Sequence, residues 1–208
     1  MTVSALVVGS LAALEGLLDD PELFPTWRGL DVVIVPTGAA FTSMVEASLA
    51  SSTPFEARGA RVEALMIADR SSNDEAHFVT RLHQADVVVL AEGSALHARS
   101  VWRASPVGEA LASARCLLAV GETGSVLGST MIDPRGGAPT TGLGYRDGLI
   151  ITTTASSEQL TRTRTLLDAS LTLAVVRPAG AVLMRDGTWR ARGDVLVTRG
   201  NDVVSLGS

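Results

Sequence analysis

Leu117-Leu118-Ala119-Val120-Gly121-Glu122-Thr123-Gly124-Ser125-Val126-Leu127-Gly128 runs from a short apolar strand into a turn of small residues. A strand without polar alternation is one covered on both faces, as in a parallel sheet between helix layers. Small residues beyond it let the backbone bend sharply, and a hydrolase sets its nucleophile on such a strand-to-helix turn. The side chains on offer here are Glu122 and Thr123.

Working outward, the same texture recurs in Val32-Val33-Ile34-Val35 and Val87-Val88-Val89-Leu90. The strands expected are Ser4–Val8, Asp31–Val35, Arg61–Ile67, Asp86–Leu90, Cys116–Val120 and Gly148–Thr152. Between them Leu11–Leu18, Thr42–Ser51, Asn73–Gln84, Ser94–Val101 and Gly108–Ala114 carry helical spacing, with Asn73 and Ser94 as N-caps and Pro106 ahead of the last. Thr161–Ala174 predicts a further helix with a leucine face. After Arg177-Pro178 come Ala181–Arg185, Thr188–Arg190, Asp194–Thr198 and Asp202–Leu206, with Asp186-Gly187 marking a hairpin. The expected fold is α/β: a three-layer α/β/α sandwich on a mostly parallel, flavodoxin-like sheet, with a small C-terminal antiparallel extension. One domain over 1–208 is expected, with its core in 3–176 and the extension in 181–206.

Composition narrows the function. The 208 residues carry a net charge of −5, and all 17 basic residues are arginines scattered along the chain. No basic patch of the kind that binds a phosphate backbone results, so nucleic acid is not an expected partner. No apolar run reaches the roughly 20 residues of a membrane span, and Met1 to Leu14 lacks a basic leader, which predicts a cytoplasmic protein. Cys116 opens an apolar run and reads as a packed thiol. No phosphate-binding loop, dinucleotide fingerprint or zinc spacing is present, so no cofactor or metal is expected.

Ligands of an open parallel sheet sit at the strands' carboxyl ends. Those loops carry Gly9-Ser10, then Thr37 and Gly38, then Glu92, Gly93 and Ser94, and finally Gly121, Gly124 and Ser125 around Glu122 and Thr123. Small residues there either admit a ligand to backbone N–H groups or make ordinary tight turns. Glu92 and Glu122 end neighbouring strands; they read either as a carboxylate pair able to share a proton or as two solvated loop residues. His77 and His83 are six apart, wrong for one helix face, whereas His97 lies closest to the cleft. Arg135, in a Gly/Pro-rich loop, reads as an anion contact or as a surface residue. Trp27, Trp102 and Trp189 read as packing or interface residues.

Taken in order, these segments resemble the cyanophycinase and dipeptidase E-like serine peptidases, which have the class I glutamine amidotransferase-like fold. Val33-Ile34-Val35-Pro36-Thr37-Gly38 is similar to the family's I-P-T-A strand end, and Ala85 to Leu96 to its A-D-x-I-x-F-T-G-G-N-Q-L. Gly142-Leu143-Gly144-Tyr145 is similar to G-L-G-L, and Gly180-Ala181-Val182-Leu183 to G-T-A-L.

The resemblance implies a serine in a G-T-S-A-G-A elbow, a histidine in D-x-H-F and an acidic pair in G-I-D-E-G. Two alignments of the elbow put either Thr123 or Glu122 at the serine. Thr154 falls at the histidine, Pro178 and Ala179 at the acids, and Glu92-Gly93 replaces the paired glycines of the oxyanion side. Two readings follow. One is a catalytically inactive relative whose cleft binds a small or peptide-like ligand; the other is a hydrolase with a divergent site using Thr123 or the Glu92/Glu122 pair. Homo-oligomers are compatible with both.

Overall fold

Alternate side chains of a strand point to opposite faces, so each all-apolar strand feeds two cores at once. The computed structural model describes residues 3–153 and 155–206. In chain order the elements are β1 (Val3–Val8), α1 (Leu11–Leu18), β2 (Asp31–Val35), α2 (Met44–Glu56), β3 (Arg61–Ala64), α3 (Ala76–Gln84), β4 (Val87–Leu90), α4 (Ala95–Trp102), α5 (Pro106–Ala112) and β5 (Leu117–Val120). Then come β6 (Thr130–Ile132), β7 (Pro139–Thr141), β8 (Ile150–Thr152), α6 (Ser157–Leu166), β9 (Thr172–Arg185), β10 (Thr188–Arg199) and β11 (Asp202–Val203).

The main sheet runs β3-β2-β4-β5-β1 in parallel and continues through antiparallel β9, β10 and β11. Strands β3-β2-β4-β5 keep a flavodoxin-like order, while the chain's first strand lies beyond β5. Val33, Val35, Val88, Leu90, Leu117 and Ala119 face α3, α4 and α5. Their neighbours Val32, Ile34, Val87, Val89, Leu118 and Val120 pack with Leu14 and Leu18 of α1 and Phe55 of α2. The three layers expected from the apolar runs are thus present. Because α2 leaves β2 on one face and α4 leaves β4 on the other, a crevice opens between the ends of these adjacent strands.

The main departures lie at the C-terminal end. The helix expected over Thr161–Ala174 is α6, which ends at Leu166; Leu173 and Ala174 belong to β9. Ser156 and Gln159 close a capping box, fixing the earlier start, while Leu173 pairs with Ile150 of β8. Of the four short strands expected after Pro178, three lie within the two long strands β9 and β10, and the last is the short β11. β9 runs through Arg177-Pro178 because the ladder with β10 shifts register there, between Gly193 and Val195. Asp186 and Gly187, with φ of 50° and 74°, make the expected hairpin turn. Asn73 is not a cap; it is buried and donates from Nδ2 to Val101 O at 2.6 Å.

Candidate functional site

Three loops meet at the crevice. After β2, the chain turns tightly over Thr37–Ala39; after β4, Ala91 to Ser94 lead into α4. The two loops touch backbone to backbone, with Ser94 N–H donating to Gly38 O at 2.8 Å. A Cβ on Gly93 would lie 2.2 Å from the Gly38 carbonyl carbon, so glycine is what permits this approach. Thr37 is fully buried, donating to Ile67 O at 2.7 Å and accepting from Trp102 Nε1 at 3.2 Å. Ser94 caps α4, accepting from His97 N–H at 3.3 Å. Both side chains are engaged in holding the loops.

The third loop is the quoted turn, a tight helical coil over Gly121–Val126. Its left-handed residue is Gly121, φ 60°, immediately after β5. Neither Glu122 nor Thr123 stands at that strained apex. The place of a side chain on Gly121 is filled by Glu92, whose Oε1 would lie 2.7 Å from a Cβ there. The Glu122 carboxylate goes elsewhere, accepting from Ala95 N–H at 3.0 Å at the positive N-terminus of α4. Thr123 is fully buried and donates to Ala91 O at 2.9 Å. Gly124 packs against Val7 so closely that a Cβ would sit 2.2 Å from its Cγ1. Ser125 is 3% exposed and its hydroxyl has no hydrogen-bond partner among the described residues.

Beside these loops lies a cleft of about 550 Å³ between α1 and α2. One face of α2 lines it with Ser43, Glu46, Ala47, Ala50 and Ser51, opposite Leu11 and next to Glu92. The spacing i, i+3, i+4, i+7, i+8 is that of a helix face. A larger groove, about 660 Å³, runs between α1 and the β9–β10 hairpin. Apart from Arg192 and Ser10 its lining is apolar backbone-rich surface, and the Ser10 hydroxyl already donates to Pro178 O at 2.7 Å.

No family model and no curated protein matches the sequence. Among solved structures, a peptidase from an acI-B1 Actinobacterium superposes with a TM-score of 0.74 at 17% identity, over 100% of this chain and 96% of that one. A putative peptidase E protein from Listeria monocytogenes EGD-e gives 0.65 at 13% identity, over 96% of this chain and 99% of that one. The fold is peptidase E-like.

Within this peptidase E-like fold, no histidine among the described residues bonds a crevice hydroxyl. His97 instead directs Nε2 at Ala68 O, 2.8 Å away, and meets the Phe41 ring edge to face. His77 and His83 are exposed on α3. Thr154 lies outside the described residues. Arg135 stands in the β6–β7 hairpin turn, its guanidinium on Asp133 at 2.8 Å, which holds that carboxyl below its ordinary range. Pro178 and Ala179 are exposed within β9. Trp27, Trp102 and Trp189 are buried core residues. Among the described residues, no group of His, Cys, Asp and Glu could hold a metal ion, and no helix is long and apolar enough to cross a membrane.

Two features of the site escape sequence reading. Gly121 offers no reactive side chain, so attention falls on its neighbours, although its position directly after the strand marks the apex. The cleft face of α2 is built from small and polar residues, which an apolar-period search passes over.

Proposed function

We propose that this chain is a peptidase E-like protein without serine-peptidase activity, whose crevice binds a small or peptide-like ligand. The observation that carries the reading is the glycine at the left-handed apex after β5, with Glu92 folded over the place its side chain would take. A nucleophile acts from that strained position, where it is exposed to substrate. Thr123 supports the same reading, since a buried hydroxyl already donating to Ala91 O is neither accessible nor next to a base.

The divergent-hydrolase reading draws less from the geometry. A carboxylate pair that shares a proton needs its two groups in contact, whereas Glu122 is bonded to the α4 N-terminus and Glu92 lines the cleft. The test is incubation of the purified protein with a panel of dipeptides, following amino-acid release. Release no faster than the buffer blank is expected. Hydrolysis that disappears in Thr123→Val or in Glu92→Gln would overturn the proposal.

A further inference from the structure

Among the described residues seven large apolar side chains are exposed, and four of them, Phe41, Val45, Leu49 and Met66, belong to α2 and its surroundings. Val45 and Leu49 are 67% and 65% exposed one turn apart on α2, and Phe41 continues the row ahead of the helix. The helix has three flanks. Ser48, Ser52 and Phe55 are buried toward the sheet, Ala47 and Ala50 line the cleft facing α1, and the helical angle puts Val45 and Leu49 on the remaining flank, above the β3 side. Met66, just past β3, adjoins them, its Sδ 4.0 Å from Ser48 Oγ.

Below that flank the main sheet ends. β2 lies on one side of β3 and, among the described residues, no strand lies on the other. Arg61 and Leu65 N–H donate inward, to Leu30 O at 2.8 Å and Ile34 O at 2.9 Å, so by alternation Val62 and Ala64 present their backbone groups outward. The side chains of Val62 and Ala64 pack on the α2 face. Glu63 points to the other face, accepting from Arg81 Nε at 2.6 Å.

An open strand edge and an adjoining apolar helix flank are covered together by the same surface turned about a two-fold axis. With the axis at Ala64, β3 pairs antiparallel with its copy, Ala64 opposite Ala64 and Val62 opposite Met66. A helix seated over β2 and β3 then lies about 5 Å from the axis, which puts the two copies of α2 about 10 Å apart, at packing distance. Ala60 N–H bonds Phe55 O, so α2 ends level with the start of β3, and its shorter rise per residue brings Leu49 level with Ala64. Leu49 therefore meets its own copy, while Val45 and Phe41 lie along the other α2.

Charge and area favour the same occupant. The chain carries −5, so a charged face would repel a second copy, whereas this row is uncharged from Phe41 to Thr53. Glu56 ends it, opposite Phe41 of the second copy. The four apolar side chains supply roughly half of the ~800 Å² that each partner buries in a stable interface, and the strand edges with Thr42 and Thr53 supply the remainder.

We propose that the chain forms a two-fold homodimer through this flank of α2 and the β3 edge, joining two sheets into one. Sedimentation equilibrium of the full chain at about 50 μM, above the weakest affinities of interfaces this size, should give twice the 21.6 kDa chain mass. Leu49→Asp and Val45→Asp should each raise the dissociation constant at least about 100-fold by setting like charges together. Val203→Asp, on an equally exposed side chain of β11, should leave it unchanged. Thermal melts establish that each variant is folded.

Leu49→Cys gives a readout that destabilises nothing. Cys116 is fully buried, so mild oxidation should link two chains through position 49, and Val203→Cys should link far more slowly. The Val62 and Ala64 amides should exchange slowly in the native protein and quickly in Leu49→Asp. A monomer at that concentration, a dimer that survives both aspartates, a dimer whose Val62 and Ala64 amides exchange freely, or linkage no faster at 49 than at 203 overturns the inference.

Discussion

Gly121 shows how much one residue can settle. As a glycine it adopts φ 60° directly after β5, a conformation that costs an L-residue about 1–2 kcal/mol. Gly121→Ala should therefore lower stability by about that amount in urea unfolding. The Glu92 side chain is an exposed, movable neighbour, so adding Glu92→Ala should recover only a small part of the loss. Thr123 makes the complementary case. Its hydroxyl serves Ala91 O inside the fold, so Thr123→Val should destabilise by about 1–3 kcal/mol.

Cys116 provides a pH signature at the same scale. It is fully buried, and burial pushes its thiol from 9.0 up to about 12. Well below pH 9.0 the thiol is protonated whether the chain is folded or not, so it has no effect on the balance. Between 9.0 and about 12 the unfolded chain ionises first, and stability falls as pH rises. Burial raises Tyr145 as well, which adds to the same slope, and the chain has no lysine to titrate in this window. Urea midpoints should drop between about pH 8 and about pH 10.5, and less steeply in Cys116→Ala.

At the level of elements, what was legible followed from side-chain period. Val32–Val35, Val87–Leu90 and the strand before Gly121 read as buried strands because nothing polar interrupts them, and each lies between two helix layers. Ser94 caps its helix, and Asp186-Gly187 turns its hairpin. The misreadings arose where tertiary pairing outweighs local pattern. Leu171 and Leu173 continue a helical leucine spacing, but β8 needs a partner, and Leu173 is drawn into β9 opposite Ile150. Pro178 looks like a strand end, yet a register shift spares β9 the missing N–H.

Two glycines with open surroundings separate conformation from packing within these elements. Gly16 sits inside α1 and Gly187 in the hairpin, and a Cβ at either would meet nothing within 4 Å. Gly16→Ala should stabilise by about 1 kcal/mol through helix propensity alone. Gly187→Ala, at φ 74°, should destabilise by about 1–2 kcal/mol. Thermal or urea unfolding of the pair checks both signs.

For the whole molecule, the order of strands places the crevice and the side chains decide its use. That the loops after β2, β4 and β5 meet was legible in the sequence, because a parallel sheet gathers its strand ends together. Which residue stands at the apex was not identifiable, since it depends on where β5 stops and the backbone turns left-handed. The two registers weighed from sequence, Thr123 and Glu122, both pass over Gly121. Once the apex is a glycine, the fates of the other side chains are consistent: Thr123 and Thr37 hold backbone, Glu122 caps α4, His97 bonds Ala68 O, and Glu92 lines the cleft beside α2.

The central claim is that this crevice holds no activated nucleophile. Intact-mass analysis after treating the folded protein with excess fluorophosphonate tests it most directly, because such a reagent modifies an activated hydroxyl stoichiometrically. Unmodified mass is the predicted result, with Gly121→Ser behaving likewise for want of a base. A single adduct on the native protein, mapped to Thr123, Ser125 or Ser94, would contradict it.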